Sequence, residues 1–146
     1  MSKRIIKSEK DTERLAKKLV GQFCSGGVIG LIGDLGAGKT TFTQYFAKAL
    51  GVTKTVNSPT FNIIKEYKVR YQVSGVRCLI HIDAYRLNSA EELTELGVQE
   101  YFNDPQAITI IEWADKVKKL LPKNAAIIKM KLNKDGTRVF NIKNYL

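Results

Sequence analysis

The segment GDLGAGKTT, Gly33–Thr41, limits what this chain can fold into more than any other stretch. It joins the short apolar run VIGLIG to TTFTQYFAKALG, whose Phe42, Tyr45, Phe46, Ala49 and Leu50 repeat at helical spacing. Strand, glycine loop and helix in that order match G-x-x-x-x-G-K-S/T through Gly33, Gly38, Lys39 and Thr40. Residues without Cβ let backbone N–H groups turn inward and approach phosphate oxygens. The lysine reaches the outer phosphates, the Thr40 hydroxyl is a Mg²⁺ ligand, and the helix that starts here aims its positive end at the same anion. A purely structural turn needs neither a lysine nor a hydroxyl directly after its last glycine.

The remaining pattern predicts one α/β domain over residues 1–146, a sheet with helices packed on it. SEKDTERLAKKLVGQFC reads as a helix with Ser8 or Asp11 as cap and Leu15, Leu19, Val20 and Phe23 facing inward. TFNIIKEYKV and RCLIHIDAYRL read as two strands around a turn at Ser74-Gly75. SAEELTELG reads as a short helix capped by Ser89, with Glu92 in the capping-box position and Gly97 as its stop. AITIIEW is a further apolar strand, ADKVKKLL a brief helix closed by Pro122, and AAIIKMKLN with TRVFNIK a final hairpin.

Composition narrows the class of protein. No apolar run approaches the length of a membrane span, and no long apolar segment follows the basic start MSKRIIKSEK, so no secretion signal and a cytoplasmic location are expected. Cys24 and Cys78 lie far apart in apolar surroundings without CxxC spacing, and two buried free thiols are expected. The net charge of +10 suits RNA, an anionic cofactor or an acidic partner. The lysines are nevertheless scattered, with small clusters only at Lys3/Arg4/Lys7/Lys10 and Lys116/Lys118/Lys119/Lys123.

A phosphate cradle also needs an acid on its metal side, usually at the end of a neighbouring buried strand. Glu112 follows AITII and Asp83 follows CLIHI in the same manner. Thr60, in NSPTF, offers a hydroxyl of the kind that switch loops place near a γ-phosphate. Arg86 is a candidate for steadying the transferring phosphoryl group or for a surface ion pair. His81 reads as a packed histidine on an apolar strand, and Trp113 as core or site wall.

The set GDLGAGKTTFTQ, SPTF, HIDAYRL, EELTELGVQEYF and IIEWAD, in this order, resembles the small bacterial ATPases of tRNA threonylcarbamoyladenosine biosynthesis, the TsaE family. The resemblance runs from about Ser8 to Arg138. It implies a P-loop NTPase-like three-layer α/β domain with a mixed, partly antiparallel central sheet. It further implies slow ATP hydrolysis by the chain alone, and docking onto two protein subunits of a complex that transfers threonylcarbamoyl to the adenosine beside the anticodon. Contact with tRNA is then indirect, and no membrane is involved. By position, Thr40 and Glu112 correspond to the Mg²⁺ ligands and Asp83 to the essential acid. Asp34, Leu35, Gly36, Ala37, Gly38, Lys39 and Thr41 correspond to the nucleotide cradle, Glu9 and Thr12 to the adenine end, and Arg138 to a nucleotide-contacting arginine.

The expected chemistry is Mg²⁺-dependent ATP hydrolysis, with Lys39 stabilising charge and Asp83 or Glu112 positioning the attacking water. No arginine finger is evident beyond Arg86, so slow turnover without a partner is expected. The sequence also admits a small-molecule kinase, a nucleotide-gated binding module and an RNA-binding protein. The absence of an NKxD motif favours ATP over GTP.

Overall fold

The run AITIIE is buried at every position, as a strand must be when both faces of its sheet are covered. In the computed structural model, which describes residues 1–59, 62–70 and 75–145, this strand lies near the middle of a seven-stranded sheet. The elements are β1 (Ser2–Ile6), α1 (Glu9–Val20), β2 (Gly27–Ile32), α2 (Lys39–Leu50), β3 (Ile64–Lys68), β4 (Cys78–Asp83), α3 (Glu91–Glu95), α4 (Val98–Phe102), β5 (Ala107–Glu112), a 3₁₀ segment (Ala114–Leu120), β6 (Ala126–Leu132) and β7 (Arg138–Lys143). The strand order is β1-β7-β6-β2-β5-β4-β3. The four central strands β6, β2, β5 and β4 are parallel. β3 on one side and β7 on the other run antiparallel to them, and β1 pairs antiparallel with β7 at the edge. The sheet is mixed and partly antiparallel, as expected.

Alternation along the central strands divides the core between the two faces. Ile29, Leu31, Ile108 and Ile110 join Leu15, Leu19, Phe42, Phe46 and Leu50 of α1 and α2 in one cluster. Val28, Ile80, Ile82 and Ile111 join Leu93, Val98, Ala114 and Val117 in the other. Helix layers on both sides of a mixed sheet with a parallel centre make this a three-layer α/β fold. The chain steps from β2 out to β4, returns to β5 between them, and then crosses to β6 on the far side of β2. In such sheets ligands bind beyond the carboxyl ends of the strands, where the order reverses.

Both expected hairpins form, β3 with β4 and β6 with β7; residue Ser74 of the first turn lies outside the described residues. α2 ends at Gly51, which takes φ +113° and donates its N–H to the carbonyls of Ala47 and Lys48. α1 stops earlier than expected, at Val20. Phe23 still packs in the core, but Cys24 falls in the following turn and is exposed, while Cys78 is half-buried. The expectation of two buried thiols therefore fails for Cys24 and is met only in part for Cys78. Ala90, not Ser89, precedes the first residue of α3, although Glu92 does accept the Asn88 N–H at 3.3 Å. Two elements were not expected. β1 forms from the basic start by pairing with β7, and α4 restarts directly at Gly97, where φ is +80°. Among the described residues no helix is long and apolar enough to cross a membrane.

Ile110 is fully buried on β5 between β2 and β4. Ile110→Ala is expected to cost about 2–5 kcal/mol of stability. Urea unfolding should show this as a lower midpoint with an unchanged slope; an unaltered midpoint would contradict the placement of the core.

Candidate functional site

At the end of β2 the chain must turn within a tight space. A Cβ on Gly33 would stand 2.6 Å from the Met130 carbonyl oxygen, so no larger residue fits there without displacing β6. The loop closes through the Ala37 N–H on the Asp34 carbonyl at 3.1 Å. Gly36 and Gly38 take φ of +83° and +109°, a region that residues with Cβ adopt only under strain. α2 begins at once, and an α-helix leaves its first N–H groups without partners inside the helix. For α2 these belong to Lys39, Thr40 and Thr41, all at the loop. Arg138, from β7, braces the loop from outside: its Nε and Nη2 donate to the Gly36 carbonyl at 3.1 and 3.0 Å.

Lys39 is only 5% exposed. Its Nζ donates to the Gly33 and Asp34 carbonyls of its own loop and lies 4.2 Å from the centroid of the Trp113 ring. Burial lowers its pKa, against the opposing pull of Glu112, Asp34, Asp83 and Asp115. The lysine is thus a poorly solvated cation, held by weak carbonyl acceptors at the place where an anion would sit.

The two strand-end acids are register partners, Asp83 on β4 beside Glu112 on β5. Glu112 is 3% exposed and fully engaged. Its Oε1 accepts from the Thr40 hydroxyl at 2.9 Å; its Oε2 meets His81 Nε2 at 2.6 Å and the Ser58 hydroxyl at 3.2 Å. Ser58 Oγ also lies 3.0 Å from Thr40 Oγ1. Burial alone would raise the Glu112 pKa, but the hydrogen bonds from His81, Thr40 and Ser58 outweigh it and the net shift is downward. Asp83 goes the other way. Burial raises its pKa, the Tyr85 N–H bond at 3.0 Å opposes this, and the Glu112 charge adds to the rise. One carboxylate is held ionised and its neighbour is given a higher proton affinity, a separation common where acids and bases work.

Leu35, Gly36, Gly38, Lys39, Thr40, Thr41, Asp83, Glu112 and Arg138, all picked out from sequence, line one cleft of about 300 Å³. Ala37 is in the loop but packs its side chain into the core, and Asp34 is exposed and presents its carbonyl to Lys39. Glu9 and Thr12 are not among the lining residues. Glu9 lies against Tyr45 of α2, and Thr12 is buried on the inner face of α1. Thr60 lies outside the described residues. Arg86 is exposed and does not line the cleft. Ser58, Tyr85 and Trp113 complete the wall. The structure adds His81 behind Glu112, which sequence reasoning treated as packing alone, and Ser58, which it did not single out. Period-two alternation on β4 held a clue to the first, since His81 and Asp83 must share a face. Two larger grooves, of about 600 and 770 Å³, lie against Gln44, Lys48 and Thr55 and against Lys54, Glu66 and Arg70. Among the described residues, neither is lined by a buried carboxylate.

A raised folded-state pKa means that the fold binds the Asp83 proton more tightly than the unfolded chain does. Stability from this group therefore falls as pH rises from the unfolded value of about 3.9 through the folded one. Asp83→Asn keeps an acceptor for the Tyr85 N–H and removes the half-buried charge. Its Tm is expected to exceed that of the wild type at pH 7, with the gap closing below about pH 4. A gap that is absent or independent of pH would contradict the assignment.

Residues 6–140 match the family described as threonylcarbamoyl adenosine biosynthesis protein TsaE. The chain is 44% identical over 128 residues to the tRNA threonylcarbamoyladenosine biosynthesis protein TsaE of Bacillus subtilis, covering 88% of this chain and 76% of that protein. It is 36% identical over 144 residues to the protein of the same name from Rickettsia bellii, covering 98% and 95%. The crystal structure of Bacillus subtilis YdiB is similar with a TM-score of 0.77 at 35% identity, covering 97% of this chain and 83% of that one. The loop, the paired strand-end acids and the sheet that presents them are thus found in a chain that belongs to the TsaE family.

Proposed function

We propose that this TsaE-family member serves tRNA threonylcarbamoyladenosine biosynthesis as a Mg²⁺-dependent ATPase subunit, slow by itself and stimulated by its partners in the cytoplasm. The observation that carries this reading is the convergence of Lys39 Nζ, Thr40 Oγ1 and the Glu112 carboxylate at the end of a glycine loop whose backbone leaves room for phosphate.

The donors fit the cation. One carboxylate and one hydroxyl, both hard oxygens, suit magnesium, which commonly takes one or two protein oxygens and completes its shell with phosphate and water. Among the described residues no group of three or more His, Cys, Asp or Glu side chains is placed to hold a metal, so a site enclosed entirely by protein is not what this cleft offers. When bound, the magnesium would offset negative charge on the phosphate oxygens. The loop N–H groups and Lys39 would bind the same oxygens and stabilise the charge that spreads over them during transfer. Lys39 exchanges two carbonyl acceptors for charged ones, an exchange that a buried cation favours. Asp83, with its raised proton affinity and its place beside Glu112, would orient the attacking water.

Slow turnover follows from what the cleft lacks. Arg138 is turned onto the Gly36 carbonyl, and among the described residues no other arginine lines the wall. A group supplied by a partner accounts in related enzymes for about 10³–10⁵ in rate. The partners in this reading are the two protein subunits of the threonylcarbamoyl transferase complex, with tRNA contacted through them. ATP is expected to be hydrolysed faster when those subunits are added, and Lys39→Ala should lower the rate about 10²-fold or more. Depletion of the protein should reduce threonylcarbamoyladenosine in bulk tRNA, with rescue by the wild type and not by Lys39→Ala. Equal turnover with and without the partners, or full rescue by Lys39→Ala, would contradict the proposal.

A further inference from the structure

His81 is fully buried on β4, a strand paired on both sides, with β3 through Lys65 and with β5 through Ile110. Its Nδ1 has no hydrogen-bond partner among the described residues. An unpaired polar atom in the interior is a cost, and an aliphatic side chain would fill the same place without it. Among the described residues, the one hydrogen bond of the His81 side chain is the 2.6 Å contact from Nε2 to Glu112 Oε2. A carboxylate that is to hold a cation carries no proton and only accepts, so Nε2 is the donor.

The terminal torsion of a glutamate is broad, so the setting of its carboxylate is decided by the bonds it makes. Glu112 has three such partners, and they are not equivalent. Thr40 is itself a candidate ligand for the cation, and its bond is to Oε1. Ser58 belongs to the irregular segment before β3 and makes the longest contact, 3.2 Å. His81 alone sits on a central strand, and it holds Oε2, the oxygen not shared with Thr40.

We propose that His81 is a positioning residue: its Nε2–H fixes Glu112 Oε2 so that Oε1 and the Thr40 hydroxyl face the cleft together as the magnesium-binding pair. This rests on the ATP-and-magnesium reading above and adds to it a residue that touches neither nucleotide nor metal. Partners that orient a metal-binding group commonly change metal affinity about 10–100-fold when removed.

The test is a Mg²⁺ titration of ATP binding, followed by calorimetry on the full chain. His81→Leu removes the donor and keeps an apolar filling. His81→Gln returns an amide N–H at the same number of bonds from Cβ. The Mg²⁺ concentration for half-saturation is expected to rise about 10–100-fold in His81→Leu and to recover largely in His81→Gln, while ATP binding without metal stays as in the wild type. In a Glu112→Gln background, His81→Leu should add no further shift. A merely structural role would lower thermal stability and leave the metal dependence unchanged in a folded His81→Leu. That result, or a shift of the same size with and without Glu112, would overturn the proposal. A wild type whose ATP binding ignores Mg²⁺ would instead remove the parent reading, and this one with it.

Discussion

A carboxylate taken out of water must be repaid in hydrogen bonds, and at Glu112 this requirement ties the molecule together. Its two oxygens gather a hydroxyl from the first turn of α2, a hydroxyl from the segment before β3 and an imidazole from β4. Parts of the chain with no local relation to one another are thereby held at a single point, the carboxyl end of the central strands. If β4 slipped by one residue against β5, His81 would turn to the opposite face and the carboxylate would lose its strongest partner.

Lys39 is the counterpart of Glu112 across the cleft. It too is buried, but its acceptors are the neutral carbonyls of Gly33 and Asp34, and its pKa falls where that of Glu112 also falls. The cation is under-compensated while the anion is well satisfied. In the proposed function, this imbalance is what would draw phosphate to the Lys39 side of the cleft, beside the oxygens of Thr40 and Glu112. The open φ values of Gly36 and Gly38 make room for that charge to approach the backbone.

The loop was legible from sequence because each residue type in it answers directly to a chemical need, and the buried strands because GVIGLI, CLIHID and AITIIE are continuous apolar runs ending in a loop or an acid. What escaped depends partly on contacts distant in sequence and partly on where a helix stops. β1 is short and basic, and it becomes a strand only because β7 offers an edge. α4 was hidden because Gly97 both ends one helix and starts the next. Cys24 is exposed because α1 stops at Val20, a matter of one turn that hydrophobic spacing through Phe23 does not reveal. His81 and Glu112 are separated by 31 residues, and only the register of β4 on β5 shows that one serves the other. The strand-end acids, by contrast, were visible from sequence; their direct register and their opposite pKa shifts were not.

The central claim is that a triphosphate and its cation enter between Lys39 and Glu112. It is tested most directly by a crystal structure of the protein soaked with Mg²⁺ and a non-hydrolysable ATP analogue. The account predicts Lys39 Nζ released from the Gly33 and Asp34 carbonyls onto phosphate oxygens, with the cation on Thr40 Oγ1 and Glu112. A nucleotide bound elsewhere, with Lys39 still folded onto its own loop, would contradict it.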